Sequence, residues 1–115
     1  MTDKLSVSLV TPTYNECENV SLLAEEIFGL LASCDDIDLE LIIVDDNSPD
    51  GTGAAAEALT DRYPVRVVHR AGKLGLGSAV MEGWKLSDRP YLGVIDADLS
   101  HDPEILPGLI RGLRQ

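Results

Sequence analysis

The sequence predicts an α/β fold, an open parallel sheet of four strands in the order 3-2-1-4 with helices on both faces. Two observations carry this. Val-, Ile- and Leu-rich runs alternate along the chain with segments whose apolar residues recur at helical spacing, the mark of successive strand–helix–strand units. Right-handed crossovers laid on both faces then put strand 1 between strands 2 and 4.

Each element has its own signal. Residues 5–11 are rich in Val, Leu and Ser and run into Pro12, as a buried strand would. Residues 19–33 carry Val20, Leu23, Ala24, Ile27, Phe28, Leu30 and Leu31 at helical spacing. Residues 39–45 contain Leu41-Ile42-Ile43-Val44, a continuous apolar run suited to a strand covered on both faces. Turn chemistry follows at Asn47-Ser48-Pro49-Asp50-Gly51, and Thr52 is placed to cap a helix over 53–62. A third strand is expected at 65–69, a glycine-rich loop at 72–77, a helix at 78–86 and a fourth strand at 91–95. A last helix starts near Pro103, with Asp102 as N-cap and proline at the first helical position.

Length and composition bound the function. The 115 residues suit a single domain, 1–115, and 44% hydrophobic with 25% charged residues is globular rather than disordered. Nine basic against twenty acidic residues, a net charge of −11, argue against nucleic-acid binding. An anionic ligand would need local help, from a metal ion or from backbone N–H groups. Cys17 and Cys34 are far apart and form no CxxC pair, which fits a reducing cytoplasm better than a zinc or disulfide framework. Met1-Thr2-Asp3-Lys4 lacks the layout of a signal peptide, and no apolar run reaches the ~18 residues of a membrane span.

The predicted strand order reverses direction between strands 1 and 4, and ligands of open α/β sheets bind at the carboxyl ends flanking such a point. The segments there, 12–16 and 96–100, are unusually polar. In Val94-Ile95-Asp96-Ala97-Asp98, alternate residues of an extended chain share a face, so Asp96 and Asp98 can converge while Ala97 leaves room. Two carboxylates that close repel unless a cation lies between them, and a hard divalent ion, Mg²⁺ or Mn²⁺, answers that and can hold a diphosphate. The competing reading is a solvated acidic turn before the next helix. Asp45-Asp46 can accept from ribose or base, or build an Asx turn. Tyr14 offers a flat ring, and Glu16 is either an acceptor or a favourable charge at a helix N-terminus. The loop Gly72-Lys73-Leu74-Gly75-Leu76-Gly77 can aim N–H groups at an anion or form a plain tight turn. His69 and His101 read as structural or exposed.

In order along the chain, Pro12-Thr-Tyr-Asn-Glu16, Asp45-Asp-Asn-Ser-Pro-Asp-Gly-Thr52, Gly72-Lys-Leu-Gly-Leu-Gly-Ser78 and Asp96-Ala-Asp-Leu-Ser-His101 resemble the dolichol-phosphate mannose synthases. Those are inverting glycosyltransferases of family 2 with a GT-A fold. The resemblance, from Leu5 onward, implies the Rossmann-like nucleotide-binding half of that fold. It implies a nucleotide pocket lined by Pro12, Tyr14, Glu16, Val44 and Asp46. It further implies diphosphate and metal at Asp96, Ala97 and Asp98, with Ser100 as a further metal ligand. The implied donor is GDP-mannose, with UDP-glucose next, and the implied acceptor is a polyprenyl phosphate. Such an acceptor is already anionic and can attack the sugar C1 without a strong general base, so no catalytic base is assigned.

Two departures stand out: Cys17 where relatives have Arg, and Arg89-Pro90 in place of Gly-Asp before strand 4. Catalytic domains of the family continue well past residue 115. The expectation is therefore a chain that binds nucleotide sugar without transferring it alone, in the cytoplasm or peripheral at the cytoplasmic membrane face. Its partner would be a separately encoded C-terminal part or a second copy. Ile105, Leu106, Leu109, Ile110 and Leu113 form one apolar stripe, read as core packing rather than as a membrane-surface helix. Three readings compete: a phosphotransfer enzyme of the haloacid-dehalogenase type with Asp96 as nucleophile, a receiver domain with Asp45-Asp46 as its acidic pair, and a binding module without catalysis.

Overall fold

A computed structural model describes residues 4–72, 75–98 and 106–112. The elements are β1 (Leu5–Thr13), α1 (Cys17–Leu31), β2 (Ile37–Asp45), α2 (Thr52–Leu59), β3 (Val65–His69), α3 (Leu76–Lys85), β4 (Tyr91–Val94) and α4 (Leu106–Gly112). The sheet order is β3-β2-β1-β4, and every pairing is parallel. This is the predicted topology.

Strand alternation divides the core in two. Leu5, Val7 and Leu9 of β1 and Ile37, Leu39, Leu41 and Ile43 of β2 face one side, where they meet Val20, Leu23, Ala24 and Ile27 of α1, Ala56 and Leu59 of α2 and Ile110 of α4. Val10, Ile42 and Val44 face the other, against Ala79 and Trp84 of α3. Leu41-Ile42-Ile43-Val44 is wholly buried for that reason. Helix α3 comes so close to β1 that a Cβ on Gly83 would lie 2.7 Å from both Val10 methyls.

Several boundaries differ from the sequence expectation. Strand β1 runs through Pro12 to Thr13, with Pro12 opposite Val44. In a parallel ladder alternate residues bond to opposite neighbours. The Val10 carbonyl accepts from Ile95 N–H on the β4 side, so the N–H that Pro12 lacks would face just beyond the end of β4, where the ladder stops. Thr52 is not the cap of α2 but its first residue; Gly51 precedes it at φ 91°, and Thr52 N–H donates to Asp50 Oδ1 (3.0 Å). Gly51 is the N-cap, and Asp50, one residue before it, supplies the acceptor for the Thr52 N–H. Helix α3 begins at Leu76 after Gly75, whose φ of 101° suits glycine alone.

In α4, Ile110 is buried and Leu106 packs on the core, while the Arg111 fork grips Asp36 (2.8 and 2.9 Å). Asp102, Pro103, Ile105 and Leu113 lie outside the described residues. Among those described, no helix is long and apolar enough to cross a membrane.

Candidate functional site

The polar segments gather at the carboxyl ends of the strands, and the loops after β1 and β2 are tied together there. Thr13 Oγ1 donates to Asp45 Oδ1 (2.8 Å), and Ser48 Oγ donates to the same oxygen (2.6 Å) while Ser48 N–H reaches Oδ2 (3.1 Å). Asp45 thus closes the turn, the Asx reading left open by the sequence. Three successive backbone N–H groups at the start of α1 bond across to that turn. Asn15 N–H donates to Ser48 Oγ (3.0 Å), Glu16 N–H to Thr52 Oγ1 (2.9 Å) and Cys17 N–H to Asp50 Oδ2 (3.1 Å). Helix N-terminal donors without an intrahelical partner are thereby satisfied. Asn15 and Asn47 both take positive φ (58° and 54°), which asparagine tolerates best among residues with a side chain.

Asp46 turns to the opposite face from Asp45. Arg70, the residue after β3, grips it with Nε to Oδ1 (2.6 Å) and Nη2 to Oδ2 (2.9 Å). The carboxylate raises the guanidinium pKa above its ordinary value. The register explains the meeting: Asp45 pairs with His69, Arg70 N–H continues the ladder to Asp45 O (2.8 Å), and Asp46 then stands beside Arg70. Sequence reasoning missed Arg70. The signal was there, an arginine one step past β3 opposite a carboxylate one step past β2, but it needed the register to be read.

Pro12, Thr13, Tyr14, Asp46, Gly75 and Leu76 line one cavity of about 120 Å³. Three of the expected nucleotide-pocket residues, Pro12, Tyr14 and Asp46, thus come together. Glu16 lies in a separate hollow of about 290 Å³ with Asn15, Cys17, Glu18, Asn19 and Asp50. Val44 is enclosed in the core beneath α3. Past β4, Ala97 is buried with Ile95 in the α1-side core, Asp96 is half-buried and Asp98 is exposed. Ala97 is therefore turned into the core. No cluster of three or more His, Cys, Asp or Glu side chains suited to a metal occurs among the described residues. Ser100, Lys73, Leu74 and His101 lie outside them. His69 pairs with Glu57 (2.7 Å) on the surface. The divergence of Asp45 and Asp46 removes the joint acidic pair that a receiver requires.

Several known proteins resemble this chain. The dolichol-phosphate mannosyltransferase of Pyrococcus furiosus is 41% identical over 96% of this chain and 30% of its own length. That of Saccharomyces cerevisiae is 37% identical over 95% and 41%, respectively. The polyprenol monophosphomannose synthase of Mycolicibacterium smegmatis is 41% identical over 89% and 38%. The chain thus spans well under half the length of these relatives. Among solved structures, a Pyrobaculum calidifontis mannosyltransferase in complex with GDP-Man and Mn²⁺ shares the fold at TM-score 0.72 and 23% identity, over 99% of this chain and 34% of that one. A glucosyl-3-phosphoglycerate synthase from Mycobacterium tuberculosis, with Mn²⁺ and UDP, superposes at 0.72 with 28% identity, over 94% and 39%. The GT-A-like half predicted from the sequence is the fold present. Residues 8–115 match the family described as Glycosyl transferase family 2, and the chain belongs to that family.

Proposed function

We propose that this chain forms the nucleotide-sugar site of a glycosyltransferase that passes mannose from GDP-mannose to a polyprenyl phosphate. The observation that carries this reading is the cavity at the carboxyl ends of β1 and β2, where the Tyr14 ring, Pro12 and the Asp46 carboxylate surround one space. It is smaller than the ~300 Å³ and upward of a whole small-molecule site, and suits the nucleoside end of an extended ligand. The names of the curated relatives support the mannosyl donor and the polyprenyl acceptor.

Asp96 and Asp98 follow β4 on the other side of β1, so nucleoside and diphosphate would straddle one strand exit. Their oxygen donors fit a hard divalent cation, Mg²⁺ or Mn²⁺, with Ser100 as a third ligand. Such an ion, when bound, neutralises charge on the departing diphosphate. Glu16, in its separate hollow, and Val44, enclosed beneath α3, do not line this cavity, so the proposed pocket is narrowed to Pro12, Tyr14 and Asp46. Ala97, turned inward, keeps the space between the two carboxylates clear.

Transfer itself needs a cation to hold the acceptor phosphate. Every arginine among the described residues is already in an ion pair: Arg62 with Glu25, Arg66 with Glu40, Arg70 with Asp46, Arg89 with Asp38 and Glu40, and Arg111 with Asp36. Arg111 is moreover held near the start of β2, opposite the carboxyl ends. We further propose that these residues bind donor without transferring its sugar, and that acceptor contacts come from a C-terminal part or a partner at the cytoplasmic membrane face.

Calorimetric titration with GDP and UDP, each with and without Mn²⁺, tests the reading. GDP should bind more tightly than UDP and more tightly with metal. No binding of either nucleotide would overturn the site. Equal GDP affinity in excess EDTA would overturn the metal, and product formed from GDP-mannose and polyprenyl phosphate by the monomer would overturn the division of labour.

A further inference from the structure

Arg70 is the one buried cation among the described residues, at 6% exposure. A guanidinium has five N–H donors, and all five are engaged. Besides its two bonds to Asp46, Nη2 donates to Gly75 O (3.0 Å), and Nη1 donates to Ser78 Oγ (2.7 Å) and Glu82 Oε2 (3.3 Å). No donor remains for a ligand, and Arg70 is absent from the cavity lining. Two of the groups it holds, Asp46 and Gly75, are nonetheless walls of that cavity.

Stability is a poor explanation for this arrangement. A buried ion pair seldom outperforms apolar packing of the same volume, and α3 already docks on β1 through Ala79 and Gly83. What the fork does achieve is geometric. It bridges the end of β2 and the first turns of α3, at the edge of the apolar cluster that Ile42 and Val44 form with Ala79.

We infer that Arg70 is a positioning residue of the nucleotide cavity. From behind the wall it fixes the Asp46 carboxylate and the start of α3 at one separation, so that the cavity is formed before a nucleotide arrives. This rests on the proposal that the cavity takes the nucleoside end.

The test is GDP titration of the chain and of Arg70→Lys, Asp46→Asn and the double variant, with folding followed by Trp84 fluorescence. Lysine keeps the charge but cannot fork. Arg70→Lys should melt as one cooperative unit yet bind GDP about ten-fold more weakly, as a displaced wall implies. In the Asp46→Asn background the same change should cost less than about two-fold, because Arg70 acts through Asp46. A lowered melting point with unchanged affinity, or two losses that multiply, would overturn the inference. Should Arg70→Lys fail to fold, Ser78→Ala decides, since it releases only the α3 end of the bridge. A loss of about three-fold or more supports positioning, and unchanged affinity defeats it. If the unaltered chain binds no nucleotide, both proposals fall; if it binds and Arg70→Lys binds equally well, only this one does.

Discussion

At the residue scale, Asp45 and Asp46 are neighbours in sequence with separate tasks. Asp45 is 2% exposed and receives Thr13 and Ser48. Asp45→Ala would leave the buried Thr13 hydroxyl unpaired and should cost about 2–3 kcal/mol in urea unfolding. Thr11 is the opposite case. Its Oγ1 is buried without a hydrogen-bond partner among the described residues. Thr11→Val, nearly the same shape, should raise stability by about 1 kcal/mol; a lower urea midpoint would contradict that. Asp98→Asn removes one charge and one oxygen donor of the proposed metal pair and should weaken Mn²⁺-dependent GDP binding about ten-fold or more, read by calorimetry. Asp96 and Asp98 could be proposed from the sequence because their i, i+2 spacing is local, although both lie beyond β4 and Asp98 stands in a turn. The division between Asp45 and Asp46 was not visible, because it depends on partners 32 and 24 residues away.

At the scale of elements, the start of α1 and the turn before α2 behave as one piece, because side chains of the turn cap the backbone of the helix. Asp50 is central to this. Its pKa is lowered by the Thr52 hydroxyl first, with help from Cys17 and Thr52 N–H groups. A depressed carboxylate contributes stability at pH values above its unfolded pKa and loses it as pH falls through the folded one. The contribution should therefore fade only on the acid side, below the ordinary carboxylate range. Amide shifts of Cys17 and Thr52, followed by NMR from neutral pH downward, should titrate together, and Asp50→Asn should abolish the titration. Independent behaviour of the two amides would show the loops to be uncoupled. The existence and type of these elements were legible from hydrophobic period and turn residues. Their junctions were not: that Thr52 and Asp50 hold the start of α1, and that β1 passes through Pro12, follow from contacts between segments far apart in sequence.

At the scale of the whole molecule, a chain with a net charge of −11 ties its described arginines into ion pairs. The strand order was legible because crossover handedness and alternation fix it together, whereas the pairing of each arginine is a three-dimensional accident of register and packing. Strand β4 stands at the end of the four-stranded sheet with Leu92 and Val94 44% and 46% exposed on the α3 side. Such an edge invites a further strand or a second copy. Self-association in sedimentation should rise with concentration and fall in Val94→Lys, and a strictly monomeric chain at high concentration would remove the second-copy proposal.

The same edge has a kinetic signature. Since Ile95 N–H donates to Val10 O, the amides of Gly93 and Ile95 face β1, whereas those of Leu92 and Val94 point outward from the sheet. In deuterated water β4 should therefore exchange as an alternating pattern, slow, fast, slow, fast, within one short strand. Any partner that completes the sheet would turn that pattern into uniform protection, so two amides, Leu92 and Val94, suffice to report when the edge is covered.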